Sequence, residues 1–306
     1  MHKGVALTVR KVRVATVSFR TKGEPGARLA EALKYVDEAG RFSPDIIVLP
    51  ETAINDRFSP QPMDGPIVRA MSERALSFGC YLICPFLLRD EDGTLRNIAA
   101  LIDPNGKVVG QYRKMFPTIR EMKDGVVPGD SAPTFQTPFG RIGMAICFDL
   151  NFEQVIKELA AGGAEVVFFV SAYEGGRQLE RWALDYSVFI VLAHKGGRGC
   201  FIDPSGYVLQ RGDPYYQPVV VRDLNLNRKI LHIDDNWRKM KDVFAKYGDA
   251  LHADVYTPEG IFALESREPG LLVEDVMREF GLISFHEYLR QTESLRGSLL
   301  TRRGST

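Results

Sequence analysis

The chain has 306 residues, 45% of them apolar, and its 39 Lys+Arg balance 39 Asp+Glu. That size and composition suit one large or two modest globular domains, and zero net charge offers no broad attraction to nucleic acid or an anionic membrane. No apolar run approaches the roughly 18 residues of a membrane span, and MHKGVALTVRKVRVATVSF breaks its apolar stretches with Arg and Lys, unlike a secretory leader, so the expected location is cytoplasmic.

In chain order, KVRVATVSF is a β-branched strand. GARLAEALKYVDEAGRF carries Leu29, Ala32, Leu33 and Val36 at helical spacing, with Gly40 as a stop. PDIIVLPE is a fully apolar strand, PIVRAMSERALSFG a helix stopped by Gly79, and CYLICPFLL another strand. RNIAALIDPNGKVVGQYRKM reads as a hairpin turning at DPNG. FGRIGMAICFDLNFEQVIKELAAGGAEVVFFV reads strand, turn, helix, strand, and GCFIDPSGYVLQRG gives a second hairpin at DPSG. Strands without alternation imply sheets buried on both faces. Two similar halves of this kind stack most economically as an α-β-β-α sandwich.

From about Leu231 the pattern changes. DDNWRKMKDVFAKYG and LLVEDVMREFGLISFHEYLRQTES read as helical, ADVYTPEGIFALES as extended, and LRGSLLTRRGST as a frayed polar tail. The expected organisation is an N-terminal extension over 1–11, a main domain over 12–230 and a largely helical extension over 231–306. That extension would pack on the core or at a subunit interface.

Cys80, Cys84, Cys147 and Cys200 form no C-x-x-C pair and are expected to be free. The five histidines, His2, His194, His232, His252 and His286, are scattered, so no metal site is expected. Cys147 alone has a chemical setting, where the strand RIGMAIC runs into a helix. The free N–H groups and positive end of a helix favour a thiolate, and a sharp turn lifts the side chain out of the sheet. Asn151 or Asp149 would cap the helix. The alternative is a small buried side chain. A thiol nucleophile needs a base and an oxyanion partner. Glu51, after the apolar IIVLP, stands where α/β sheets bind ligands and could be the base. Lys114, ending the hairpin strand, could face an oxyanion, and Glu121 could reach the same pocket. Each alternatively reads as an ordinary loop or surface residue.

Together VLPE, YRKMFP and GMAICFDLNFEQVIKELAAGGAEVV resemble the nitrilase superfamily of carbon–nitrogen hydrolases, from about Val12 to Leu226. The resemblance implies the α-β-β-α sandwich and a triad of Glu51 as general base, Lys114 and Cys147 as nucleophile. It further implies Glu121 as a second glutamate and the Phe148 N–H in the oxyanion hole. It implies no metal or organic cofactor, a small-molecule amide or carbamoyl substrate, and a homo-oligomer, dimer or larger. After Cys147, Phe148 replaces the Tyr and Phe152-Glu153 lacks the proline of amidase and carbamoylase branches, while Cys-Trp-Glu of nitrile-cleaving members is absent. An amide or N-carbamoyl substrate is therefore expected over a nitrile. Acyl transfer and a non-catalytic binding role are the alternatives. His194, Cys200 and Asp185 depart from residues common in the family, and Tyr173, Glu174, Trp182 and His194 are candidates for the pocket wall.

Overall fold

The protein is described by a computed structural model over residues 10–20, 23–56, 58–213 and 215–303. Residues 1–9, and with them most of the expected N-terminal extension and His2, lie outside the described residues. Two compact units emerge, Val12–Leu224 and a second formed chiefly by Asn225 onward.

The first unit builds two sheets from one repeated plan. In chain order its elements begin with β1 (Lys11–Val17), α1 (Pro25–Gly40), β2 (Ile46–Val48), α2 (Pro66–Phe78), β3 (Tyr81–Arg89), β4 (Leu95–Ile102) and β5 (Val108–Arg113). A short α3 (Ile119–Lys123) and β6 (Thr134–Gln136) lead to β7 (Arg141–Ile146), α4 (Glu153–Ala161), β8 (Val166–Ser171), α5 (Arg177–Tyr186), β9 (Phe189–His194), β10 (Cys200–Ile202), β11 (Val208–Arg211) and β12 (Val219–Asn225). Both α1 and α2 start on a proline, whose missing N–H is harmless in the first turn. Helix α2 ends at Gly79, held at φ 63, where a side chain would be strained.

The first sheet runs β12-β1-β2-β3-β4-β5 and the second β11-β10-β9-β8-β7-β6. β1, β2 and β3 are parallel, as are β7, β8 and β9, and antiparallel hairpins extend each set. Both hairpins turn where the sequence places them, with Gly106 N–H bonded to Asp103 O and Gly206 N–H to Asp203 O. The two sheets face each other. Buried Thr16 Oγ1 of β1 donates to Leu192 O of β9 at 2.7 Å, and Ser18 Oγ accepts from His194 N–H at 3.0 Å. Helices α1 and α2 close the outer face of the first sheet around Val36, Ile67, Met71 and Ala75. On the second sheet Gly143 makes room for Leu159 of α4, whose Cδ2 would lie 2.7 Å from a Cβ there. This is the expected α-β-β-α sandwich, with the parallel strands sealed on both faces.

The second unit joins the expected helices to a small sheet. It holds β13 (Arg228–His232), α6 (Met240–Tyr247), β14 (Leu251–Tyr256), β15 (Ile261–Ser266), α7 (Val273–Phe280) and α8 (Phe285–Arg303). The strands form an antiparallel sheet ordered β13-β15-β14, and the extended ADVYTPEGIFALES is its hairpin. Leu231, Val243, Phe262, Leu264, Val273 and Val276 make its core. The unit begins at Asn225, earlier than the expected 231, because β13 pairs within it. The tail expected to fray continues as α8 to Arg303, with every side chain from Arg290 to Thr301 exposed. No helix among the described residues is long and apolar enough to cross a membrane.

Candidate active site

Glu51, Lys114 and Cys147 each sit just beyond a strand end. Glu51 follows β2 and is 3% exposed. Lys114 follows β5 and is 2% exposed, its backbone clamped by its N–H to Asn97 O (2.9 Å) and by Gly129 N–H to its own carbonyl (2.8 Å). The ammonium lies between two carboxylates, at 2.8 Å from Glu51 Oε1 and 3.0 and 2.9 Å from the oxygens of Glu121.

Glu121 is fixed by its own helix. Thr118 Oγ1 accepts its N–H at 3.2 Å, and its Oε2 accepts the Thr118 N–H at 2.7 Å, a capping box on α3. The same carboxylate thereby caps the start of the helix and faces the lysine. Asn97 completes the cluster, with Nδ2 donating to Glu51 Oε1 and Glu121 Oε1, both at 2.8 Å. Sequence reading missed Asn97. It sits beside Arg96 at the start of β4, directly opposite Lys114 across the hairpin, a placement that only strand register reveals.

Cys147 stands at φ 50, a left-handed conformation rare outside glycine. The chain leaves β7, makes one tight 3-10 turn over Cys147–Asn151, and only then enters α4. The turn is held from below by Asp149. Fully buried, Asp149 accepts from Ile146 N–H (2.9 Å), Tyr112 OH (2.6 Å) and Phe116 N–H (2.9 Å). This ties the Cys147 elbow to the chain on either side of Lys114. Neither expected cap exists on α4, whose N-cap is Phe152 without a side-chain bond. Asn151 instead bonds Phe148 O.

The thiol faces Glu51, Lys114 and the Ala172 backbone. Burial and the Glu51 charge push it up to about 12, against the pull of Lys114, so its resting form is the neutral thiol. The thiolate expected from a helix terminus is thus opposed, because a desolvated anion beside a carboxylate is penalised more than the helix end favours it. Lys114 is raised: burial works against its charge, but Glu51 and Glu121 outweigh it. Burial also works against the charge on Glu121, and Lys114 overcomes it to hold that carboxyl below its ordinary range. The cluster brings one cation, two carboxyls and one thiol together, with Glu51 and Lys114 buried and Glu121 and Cys147 part-exposed.

The other candidates divide. Tyr173 adjoins the cluster, its OH donating to Cys147 O at 3.1 Å. His194 is buried at the end of β9, and burial lowers its pKa so that the ring is neutral. Its Nδ1 has no partner among the described residues. Glu174 is exposed and accepts from Arg198 N–H at 3.4 Å. Trp182 is buried on α5 and lines a cleft of about 250 Å³ with Leu150, Asn151, Gln178 and Tyr186, without Glu51, Lys114 or Cys147. All four cysteines are free. Among the described residues no group of three or more His, Cys, Asp or Glu side chains is arranged to hold a metal ion.

The sequence profile of the carbon-nitrogen hydrolase family matches residues 13–228. Omega-amidase NIT2 of Homo sapiens is 24% identical over 248 residues, covering 71% of this chain and 89% of that protein. The crystal structure of Saccharomyces cerevisiae Nit3, a member of branch 10 of the nitrilase superfamily, superposes with a TM-score of 0.65 at 20% identity, covering 72% of this chain and 92% of that one. An amidase from Nesterenkonia sp. superposes with a TM-score of 0.63 at 18% identity, covering 78% and 98%.

Proposed function

The chain belongs to the carbon–nitrogen hydrolase family, and from that premise we propose that it cleaves a small linear amide or N-carbamoyl compound through a thioester on Cys147. The observation that carries this reading is the buried lysine held between the buried Glu51 and the part-buried Glu121, beside a thiol on a strained elbow. Glu51 takes the thiol proton as Sγ attacks the carbonyl carbon. Because the thiol rests protonated, attack and proton transfer are coupled, and no standing thiolate is needed. The oxyanion is held by the Lys114 ammonium and the Phe148 N–H. Glu51 returns the proton to the leaving amine, then takes one from the water that releases the acid. Glu121 keeps Lys114 charged and orients it. The NIT2 relative carries the name omega-amidase, which favours an amide over a nitrile here as well.

The test is release of ammonia or amine from aliphatic amides, ω-amides, N-carbamoyl amino acids and nitriles by wild type and Cys147→Ala. Release by wild type alone supports the reading, whereas equal background across the panel removes it. The proposal includes a homo-oligomer with a contribution from the unit after Asn225. Light scattering on the intact protein checks this, and a monomer at micromolar concentration contradicts it.

A further inference from the structure

A second cation stands beside Glu51, outside the cluster described above. Lys195 follows the last residue of β9, and its backbone N–H donates to Ser171 O at 2.8 Å. Its ammonium donates to the carbonyl (2.8 Å) and hydroxyl (3.1 Å) of Thr52, the residue after Glu51. Strand register sets the separation of its backbone from that of Cys147. Ile146 pairs with Val170 and Ser171 with His194, so β7, β8 and β9 end in step. At the spacing of neighbouring strands, the end of β9 lies roughly 10 Å from Cys147.

Lys195 is half-buried and has no carboxylate partner among the described residues. The carboxylates nearby are already engaged. Glu51 accepts from Lys114 and Asn97, and Asp56 pairs with Arg28 at 2.7 Å. Arg20 adds a further positive group, since a Cβ at Gly196 would lie 2.7 Å from its Nε. Burial, with Arg28 and Arg20, holds the lysine below its ordinary pKa against the opposing pull of Glu51 and Asp56. A part-desolvated ammonium satisfied only by neutral oxygens is short of an anion.

We propose that Lys195, assisted by Arg20, receives the anionic end of the substrate. The amides turned over are then those with a carboxylate or phosphate-like group a short carbon chain away from the scissile carbonyl. This rests on the hydrolase reading for the position of that carbonyl at Cys147. An anionic substrate would otherwise meet two carboxylates, Glu51 and Glu121, around the single cation Lys114. The lysine offsets that repulsion and fixes which end enters first.

The experiment is calorimetric titration of Cys147→Ala protein with matched pairs: n-alkanoic amides, the monoamides of dicarboxylic acids of equal length, and an ω-phosphonate amide. A charged-end member is expected to bind about 10- to 100-fold more tightly than its methyl-ended twin. Lys195→Met should remove that preference and Lys195→Arg keep most of it. A preference for the phosphonate over the carboxylate assigns the anion as phosphate-like, and the reverse as a carboxylate. Equal affinity for matched pairs overturns the proposal. So does a Lys195→Met protein that weakens both series alike, because that marks a tie through Thr52 alone. Turnover by protein with Cys147 intact is read separately. No ammonia release with a retained charged-end preference removes the hydrolase reading and leaves the anion site. Release without that preference does the reverse.

Discussion

Replacing Lys114 by methionine tests the electrostatic core. The stem is nearly isosteric, so packing is kept while the charge is removed. Glu51, 3% exposed, and Glu121 then face each other without the cation that both contact within 3.0 Å. Breaking a buried ion pair from one side costs about 3–5 kcal/mol, because the remaining charge stays buried. For a unit of this size that corresponds to a fall in Tm of about 6–20 °C. The penalty should shrink as pH falls, since one carboxyl can then take up a proton, and Lys114→Met with Glu51→Gln should recover much of it. Differential scanning calorimetry between pH 5 and 8 reads all three quantities. A Lys114→Met protein that melts within about 2 °C of wild type at pH 8, or a penalty that ignores pH, would show that the cation does not hold the two carboxylates together. Activity should fall about 10²- to 10³-fold with loss of the oxyanion donor.

Glu51→Gln should lose about 10²- to 10⁴-fold in amide cleavage. Yet its Cys147 should react faster with iodoacetamide at pH 8, because the Glu51 charge raises the thiol pKa; slower alkylation would contradict this. Asp149 is pushed up to about 6 from 3.8, chiefly by burial, so the folded state binds its proton more tightly than the unfolded chain. Its contribution to stability therefore falls as pH rises from about 4 to about 6, and Asp149→Asn should flatten that slope in urea titrations; an unchanged slope refutes the assignment. Gly129→Ala would set a Cβ 2.3 Å from the Arg113 carbonyl oxygen. It should destabilise by about 1–3 kcal/mol and lower kcat more than it raises KM, because Gly129 N–H fixes the Lys114 carbonyl; a change in neither stability nor kcat would contradict that.

The strand ends were legible where an apolar run stops abruptly at a charged or nucleophilic residue, as at Glu51 and Cys147, while Lys114 was placed as the end of the hairpin strand VVGQYR. Hairpins at DPNG and DPSG were equally plain, since their turn chemistry is local. Asn97 was not legible. An amide inside a strand has no periodic signature, and its role depends on a lysine brought opposite by strand register. Asp149 read as a helix cap because capping residues are recognised by spacing, whereas its actual partners, Tyr112 and Phe116, are far away in sequence. Trp182 read as a pocket aromatic, but the rotation of α5 about its axis decides which cleft it lines. The sheet after Asn225 was underestimated because β13 pairs with β15 across a helix, a non-local contact that periodicity does not record.

Hydrolysis by this route requires Cys147 to carry the acyl group. Wild-type protein is mixed with its best amide substrate, quenched in acid within the first turnover, and its intact mass and peptide map are measured. A mass increase equal to the acyl fragment is expected, localised to the peptide holding Cys147 and absent from Cys147→Ala. Amine release with no adduct at any time, or cleavage that persists in Cys147→Ala, would contradict it.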